Sequence, residues 1–271
     1  MKLKALLLLF PCFWIAVEAK GLTPDRFVTT VGATYASEYL TDGFRIGDAS
    51  PVLQTMLKLD IPSTHFSLMY WNSLRAVRSK KEYDEHDFFL MYSSDFKSES
   101  RYAFNFHGFY DYWYYPNTRP TTDLFGDKLS HVEKHGSKVN AGISMNKLLP
   151  LAGSYLVPAY NVYYWIYWAD DRKDQYQGGA RHELSLSYSH ALPQMASWIK
   201  SQYAGAFASV SYNDGAFKVR PGMSHSLGTL YAGISALGMN FSVSLNQQFS
   251  HQRTVNRRND FWTTIGAFKE F

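Results

Sequence analysis

The chain has 271 residues and a mass of 31.1 kDa, with 46% hydrophobic, 17% aromatic and only 18% charged residues. Lys and Arg number 27 against 23 Asp and Glu, a formal charge of +4. Few charges and many rings exclude a disordered chain, the mild charge argues against a nucleic-acid binder, and the lack of a long apolar run beyond the first twenty residues excludes a helical membrane bundle.

The first segment reads as an export signal. Met1-Lys2-Leu3-Lys4 is basic, Ala5 to Val17 is apolar, and Val17-Glu18-Ala19 is a small-x-small cleavage site. Residues 1–19 are expected to be a signal peptide and 20–271 one domain. The single cysteine, Cys12, lies inside the signal, so the exported chain has no disulfide. Disulfides are common in small secreted domains; an exported chain without cysteine points to a bacterial envelope.

From Arg26 onward the dominant pattern is period two. Tyr102, Phe104, Phe106, Gly108, Tyr110 and Tyr112 alternate with Arg101, Ala103, Asn105, His107, Phe109 and Asp111. His182, Leu184, Leu186 and Tyr188 alternate with Arg181, Glu183, Ser185 and Ser187, and Met239, Phe241, Val243 and Leu245 with Asn240, Ser242, Ser244 and Asn246. Successive strand side chains point to opposite faces, so each strand has an apolar and a polar side. Runs of nine or more exceed the usual soluble strand and match the tilted strands that cross an outer membrane.

The pattern predicts about twelve strands, at 26–37, 51–61, 64–73, 84–94, 100–113, 137–147, 154–168, 179–190, 201–212, 225–236, 239–249 and 260–271. Short turns at 60–63, 95–99, 148–153 and 237–238 alternate with longer segments at 38–50, 74–83, 114–136, 169–178, 213–224 and 250–259; only 191–200 breaks the rule. Short turns at one end and long loops at the other belong to an all-β, transmembrane, antiparallel up-and-down barrel. An even strand count puts both termini at the short-turn, periplasmic end. The final strand closes on Phe271, a terminal aromatic similar to the recognition signal of bacterial outer-membrane proteins, with Lys269 where an apolar residue is usual.

The aromatics then gain a role. Tyr and Trp carry an apolar body and a polar tip and settle at headgroup level. Tyr110, Tyr112, Trp113, Tyr114 and Tyr115 are expected at one rim, with Trp165, Tyr167 and Trp168 on a neighbouring strand and Phe271 at the chain end. The polar faces are expected to line the lumen: Asn105, His107, Lys138, Asn140, Ser144, Arg181, Glu183, Asn240, Ser242, Ser244 and Asn246. Opposed charges such as Arg181 and Glu183 either tune selectivity or pair to brace the wall.

Ala36-Ser37-Glu38-Tyr39, Gly43-Phe44-Arg45 and Ser50-Pro51-Val52-Leu53-Gln54 together resemble the first hairpin of the TorF-type porins. Glu85-x-Asp87, Gly108-x-Tyr110 to Tyr115-Pro116, and Glu183 to Ser189 are also similar to that family. Thr41-Asp42 stands where the family often has an aromatic and an Arg, so no role of that Arg is carried over. The resemblance implies an outer-membrane barrel with a porin-like role and no known substrate.

The function expected is passive diffusion of small polar solutes, without catalytic group, metal or cofactor. Partners are membrane lipid and lipopolysaccharide, the solutes, and the periplasmic chaperones and barrel-assembly machinery; nucleic acid is not among them. Arg75, Arg78, Lys80, Lys81, Arg253, Arg257 and Arg258 are solvated loop charges or contacts for acidic lipopolysaccharide. Two alternatives stand beside the channel. One is a barrel enzyme acting on lipid, for which His135 with Ser137, or His65 with Ser67, share a strand face as base and nucleophile. The other is a structural or adhesion barrel with a plugged lumen. His182, His190 and His86 lack metal-ligand spacing, and Gly178-Gly179 reads as a turn rather than a phosphate loop.

Overall fold

A computed structural model of the chain describes residues 27–42, 44–45, 50–61, 64–76, 84–116, 135–166, 179–216, 220–252 and 258–271. The expected signal peptide with Cys12, the rim aromatics Tyr167 and Trp168, Gly178, and the loop bases Arg78, Lys80, Lys81, Arg253 and Arg257 lie outside the described residues.

Alternation becomes strands throughout. The elements are β1 (Val28–Ala36), β2 (Leu40–Thr41), β3 (Phe44–Arg45), β4 (Val52–Ile61), β5 (Phe66–Arg75), β6 (Glu85–Phe96), β7 (Phe104–Tyr114) and β8 (His135–Ser144). Then come β9 (Leu149–Leu151), β10 (Ser154–Ile166), β11 (Ala180–Ala191), β12 (Ile199–Asp214), β13 (Gly222–Ala236), β14 (Met239–Ser250) and β15 (Asp260–Glu270). The twelve long strands pair antiparallel with their chain neighbours and close into a barrel, β15 against β1 and β10 against β11. Closure leaves no sheet edge, the condition for a sheet to stand in lipid.

Three short strands were not expected. β2 and β3 form a two-stranded ribbon inside the first long loop, and β9 pairs only with β10 at the turn end. The turns before β10 and β14 are two-residue hairpins, with φ of 44° and 80° at Ala152-Gly153 and 55° and 73° at Leu237-Gly238. Two successive positive φ values match the twist of antiparallel strands. Val28 and Phe271 lie at this same end, where Phe271 donates its N–H to the Thr29 carbonyl at 2.9 Å. Lys269, the departure in the terminal motif, extends its Nζ over the Phe271 ring at 4.6 Å, a cation–π contact.

The two faces separate by side-chain size and polarity. Leu68, Phe88, Leu90, Leu184, Leu230, Leu245 and Ile265 are all exposed and project from the outer surface. Inside stand buried polar residues, including Asp111, Asn140, Asn161, Arg181, Ser211, Asn246 and Gln248. This inverts a soluble core: apolar groups face outward and polar groups are enclosed. A wall covered by hydrocarbon and filled by hydrogen bonds explains how modest average hydropathy suits a membrane fold.

Glycine permits close approach inside the barrel. A Cβ at Gly142 would meet Asn161 Oδ1 at 2.1 Å and His107 Nε2 at 2.4 Å. Its absence lets side chains from β7 and β10 meet across β8.

Candidate functional site

The described residues of the first long loop fold back onto the barrel. The loop leaves β1 and is tied down at once. Ser37 donates its N–H to the Thr263 carbonyl at 2.9 Å, and Thr263 returns its N–H to Ser37 Oγ at 3.0 Å. Arg45 then pairs with Glu38 at 2.8 Å and with Asp260 at the start of β15. Tyr39 is buried, with its ring 5.7 Å from that of Trp71 on β5.

From this anchored base Asp42 reaches the opposite wall. Its Oδ2 accepts from Lys138 Nζ on β8 at 3.0 Å, and its Oδ1 lies 3.1 Å from Arg181 Nη2 on β11. In the strand order, β8 and β11 are each five steps from β1, in opposite directions around the ring. The loop therefore spans the lumen. Lys138 also faces Asp111 at 3.5 Å, and Arg181 faces Glu183 at 4.0 Å. The Arg181 guanidinium lies over Tyr163 at 4.3 Å and over Trp165 at 5.9 Å. Burial raises the Asp42 carboxyl, but the charges of Lys138 and Arg181 outweigh it and hold the group below its ordinary value.

Below this latch, toward the short turns, the lumen is a set of hydrogen-bonded belts. His107 bridges Asn105 at 3.1 Å and Asn161 at 2.8 Å through its two ring nitrogens. Asn105 also donates to Ser93 and Asp95, each at 2.9 Å. On the other side Thr229 donates to Asn246 at 2.9 Å, Asn246 to Ser244 at 2.8 Å, and Ser244 contacts Thr264 at 2.7 Å. Asn105, Ser144, Ser242 and Ser244 keep partial exposure in this half, unlike the buried Arg181 and Asp111 beside the latch.

A chain with these features has the architecture of an outer-membrane barrel. It is similar to a KdgM porin, with a TM-score of 0.52 and 7% identity over 89% of this chain and 99% of that one. It also aligns with the COG4313 outer membrane channel from Pseudomonas putida F1, at a TM-score of 0.48 and 8% identity, covering 91% of this chain and 95% of that one. LpxR from Salmonella typhimurium aligns at 0.43 and 9% identity, over 89% and 99% of the two chains. No family model and no curated sequence matches the chain. The likeness is one of fold.

Of the residues expected in the lumen, Asn140, Arg181 and Asn246 are buried, and Asn105, His107, Lys138, Glu183 and Ser244 contact polar neighbours on other elements. The structure gathers Lys138, Arg181 and Glu183 at the latch and places Asn140 beside them, its Nδ2 donating to the Val162 carbonyl at 3.3 Å. Asn240 and Ser242 lie at the short-turn end of β14, and Ser144 donates to Asn146 at 2.9 Å. Among the expected rim aromatics, Tyr110, Tyr112 and Tyr114 alternate with inward Asp111 and Trp113 and face outward.

Trp113, Trp165 and Tyr115 are corrected: they stand inside. Trp113 covers Gly136 and faces Lys138, Trp165 is 1% exposed beside Arg181, and Tyr115 donates to Glu85 at 2.8 Å. Parity is the reason. Residues 113 and 165 share the face of Asp111 and Tyr163, and proximity to a strand end does not say which face a ring takes.

The two pairs considered for a lipid hydrolase are engaged elsewhere. Ser137 donates to the Ile166 carbonyl at 2.9 Å, while His135 Nδ1 meets the Tyr112 hydroxyl at 2.6 Å. Ser67 bonds Asp60, and His65 sits in a turn with φ of 60°.

Several site residues were missed in the sequence. Asp111 lies on the polar face that the alternation marked, Glu85 and Asp87 share one face of β6, and each of the three keeps a buried carboxylate oxygen without a hydrogen-bond partner among the described residues. Asn161 was also accessible by parity. Asp42 was not, since nothing local says that a loop residue crosses to the far wall.

Proposed function

We propose that this chain is an outer-membrane channel for small polar solutes, narrowed at its long-loop mouth by the first loop. One observation carries the reading: Asp42 is strung across a polar lumen between Lys138 and Arg181. A purely structural barrel could fill its interior from its own walls. Here the wall below the latch is lined by partly exposed Asn and Ser groups, which exchange hydrogen bonds with a passing polar solute at little cost. The mechanism needs no reacting group; passage depends on the width left beside the loop and on how long the latch stays closed.

The chain reaches a bacterial outer membrane after loss of residues 1–19, with help from periplasmic chaperones and the barrel-assembly machinery. Its long loops face outward, and lipid with lipopolysaccharide surrounds the apolar wall. Membership of the TorF-type porins belongs to the same reading, supported by the first-hairpin motif that supplies Glu38, Tyr39 and Arg45 to the base of the latch.

Planar-bilayer recording of the refolded protein tests this. Small, discrete conductance steps are expected, larger or longer-lived when the latch is removed by Asp42→Ala. Absence of conductance in both proteins at every voltage would assign a plugged, structural barrel.

A further inference from the structure

The outer face carries a repeated feature that the channel does not use. Three Tyr–His pairs sit on three consecutive long-loop hairpins, β5–β6, β7–β8 and β10–β11. The Tyr70 hydroxyl meets His86 Nδ1 at 2.7 Å, Tyr112 meets His135 at 2.6 Å, and Tyr160 meets His182 at 2.7 Å. Ring centroids lie 6.0, 6.0 and 6.1 Å apart, with interplanar angles of 18°, 29° and 20°.

The three share one register. Tyr70 stands opposite Phe88, Tyr112 opposite Ser137, and Tyr160 opposite Leu184. In each case the histidine is two residues before that opposite residue, one step closer to the long loop. The tyrosine is always on the strand entering the loop and the histidine on the strand leaving it. A diagonal pair at this offset is within reach for long aromatic side chains. The same solution on three hairpins indicates a common environment.

That environment is the upper border of the apolar wall. His86, His135 and His182 all lie within the first three residues of their strands, and exposed Phe88, Leu90, Leu184 and Leu186 follow on the same outer face. With the tyrosine hydroxyl donating to Nδ1, the neutral imidazole carries its proton on Nε2. The pair thus presents an N–H donor on the outer face toward the long loops, with its tautomer and ring plane held by the tyrosine. If the ring gains a proton, Nδ1–H donates to the tyrosine oxygen instead, and Nε2–H keeps its direction.

We propose that these three pairs form a contact row for the phosphate groups of an outer-leaflet glycolipid, lipopolysaccharide. A phosphate supplies strong anionic acceptors for N–H donors. His86 and His135 stand level across Tyr114, two strands and about 10 Å apart, while His182 is level with Ala141 on β8, six residues beyond His135, so its donor stands about 20 Å from that of His135. The row continues directly into the apolar band, so an occupant that meets both needs a phosphorylated head and acyl chains. This inference rests on the membrane reading above and gives its lipid partner a site.

The test uses the full mature chain refolded in phosphatidylcholine vesicles containing either diphosphorylated or dephosphorylated lipid A. The triple variant His86→Phe, His135→Phe, His182→Phe keeps the rings and removes the donors. Lipid A retained after detergent extraction is counted by native mass spectrometry, on protein whose heat-modifiable gel mobility shows a folded barrel. The wild type is expected to retain several-fold more phosphorylated lipid A than the variant, with no difference for the dephosphorylated lipid. Equal retention of phosphorylated lipid, or equal loss of both lipids, overturns the row. Displacement by inorganic phosphate would assign it to a free anion and also overturn it. If the triple variant does not fold, His135→Phe alone is read in the same way, with a smaller expected loss. A wild-type chain that stays soluble without entering vesicles defeats the membrane reading itself, a result distinct from failure of the row.

Discussion

Asp42 and Lys138 are separated by 96 positions in the chain, and β1, which leads to Asp42, stands five strands from β8, which carries Lys138, yet their side chains meet at 3.0 Å. Both are largely enclosed, at 11% and 13% side-chain exposure. This contact converts a surface loop into a bar across the lumen, and the predictions below follow from it and from the wall that surrounds it.

Removing Asp42 leaves two cations without their shared acceptor. Loss of one partner from a buried pair typically costs about 3–5 kcal/mol. Here Asp111 and Glu183 remain beside Lys138 and Arg181, so the lower end is expected. Asp42→Ala should lower barrel stability in a urea titration by about 3 kcal/mol and raise conductance. Combining it with Lys138→Met should cost less than the sum of the two single changes, as measured by a double-mutant cycle.

The latch should depend on pH in one direction. Asp42 is raised by burial and lowered more by Lys138 and Arg181, so its folded value lies below the ordinary one. An unfolded Asp titrates at about 3.9. A group with a depressed folded pKa contributes its stability above the unfolded pKa, and that contribution is lost as pH falls through the folded value. Conductance gated by the latch should therefore be flat from neutral pH down to the ordinary Asp range and rise only in stronger acid. An Asp42→Asn channel should lack that acid step.

Gly142 tests the packing of the lower belt. A methyl at this position collides with both Asn161 and His107, which meet at 2.8 Å across it. Gly142→Ala should cost about 1–3 kcal/mol as an overpacked site, while Gly238→Ala, with open space around it, should act only through its positive φ of 73°. Denaturant midpoints of the two variants separate the effects.

The outer wall predicts an asymmetry between neighbouring positions. Leu230 is 63% exposed near the middle of β13, while Thr229 beside it points inward and bonds Asn246. Leu230→Arg should cost about 2–4 kcal/mol at the bilayer midplane. Thr229→Arg should cost less in vesicle refolding and should alter ion selectivity, read as a reversal-potential shift.

Much of this molecule was legible in one dimension. Period-two alternation located all twelve long strands, and the contrast of short turns with long loops gave the antiparallel barrel and the common end for both termini. Those features are local, because a strand's pleat assigns faces residue by residue. The same parity identified inward Asn105, Lys138, Arg181 and Asn246, and it held the correct answer for Trp113 and Trp165, which position near a strand end had suggested for the rim. What no local rule contained was which residues meet across the ring. The union of Asp42 with Lys138 and Arg181, the passage of His107 to Asn161 over Gly142, and the shared register of three Tyr–His pairs depend on barrel closure and strand stagger. Closure brings residues far apart in the chain to opposite ends of one diameter, and only the closed sheet decides which loop is long enough to bridge it.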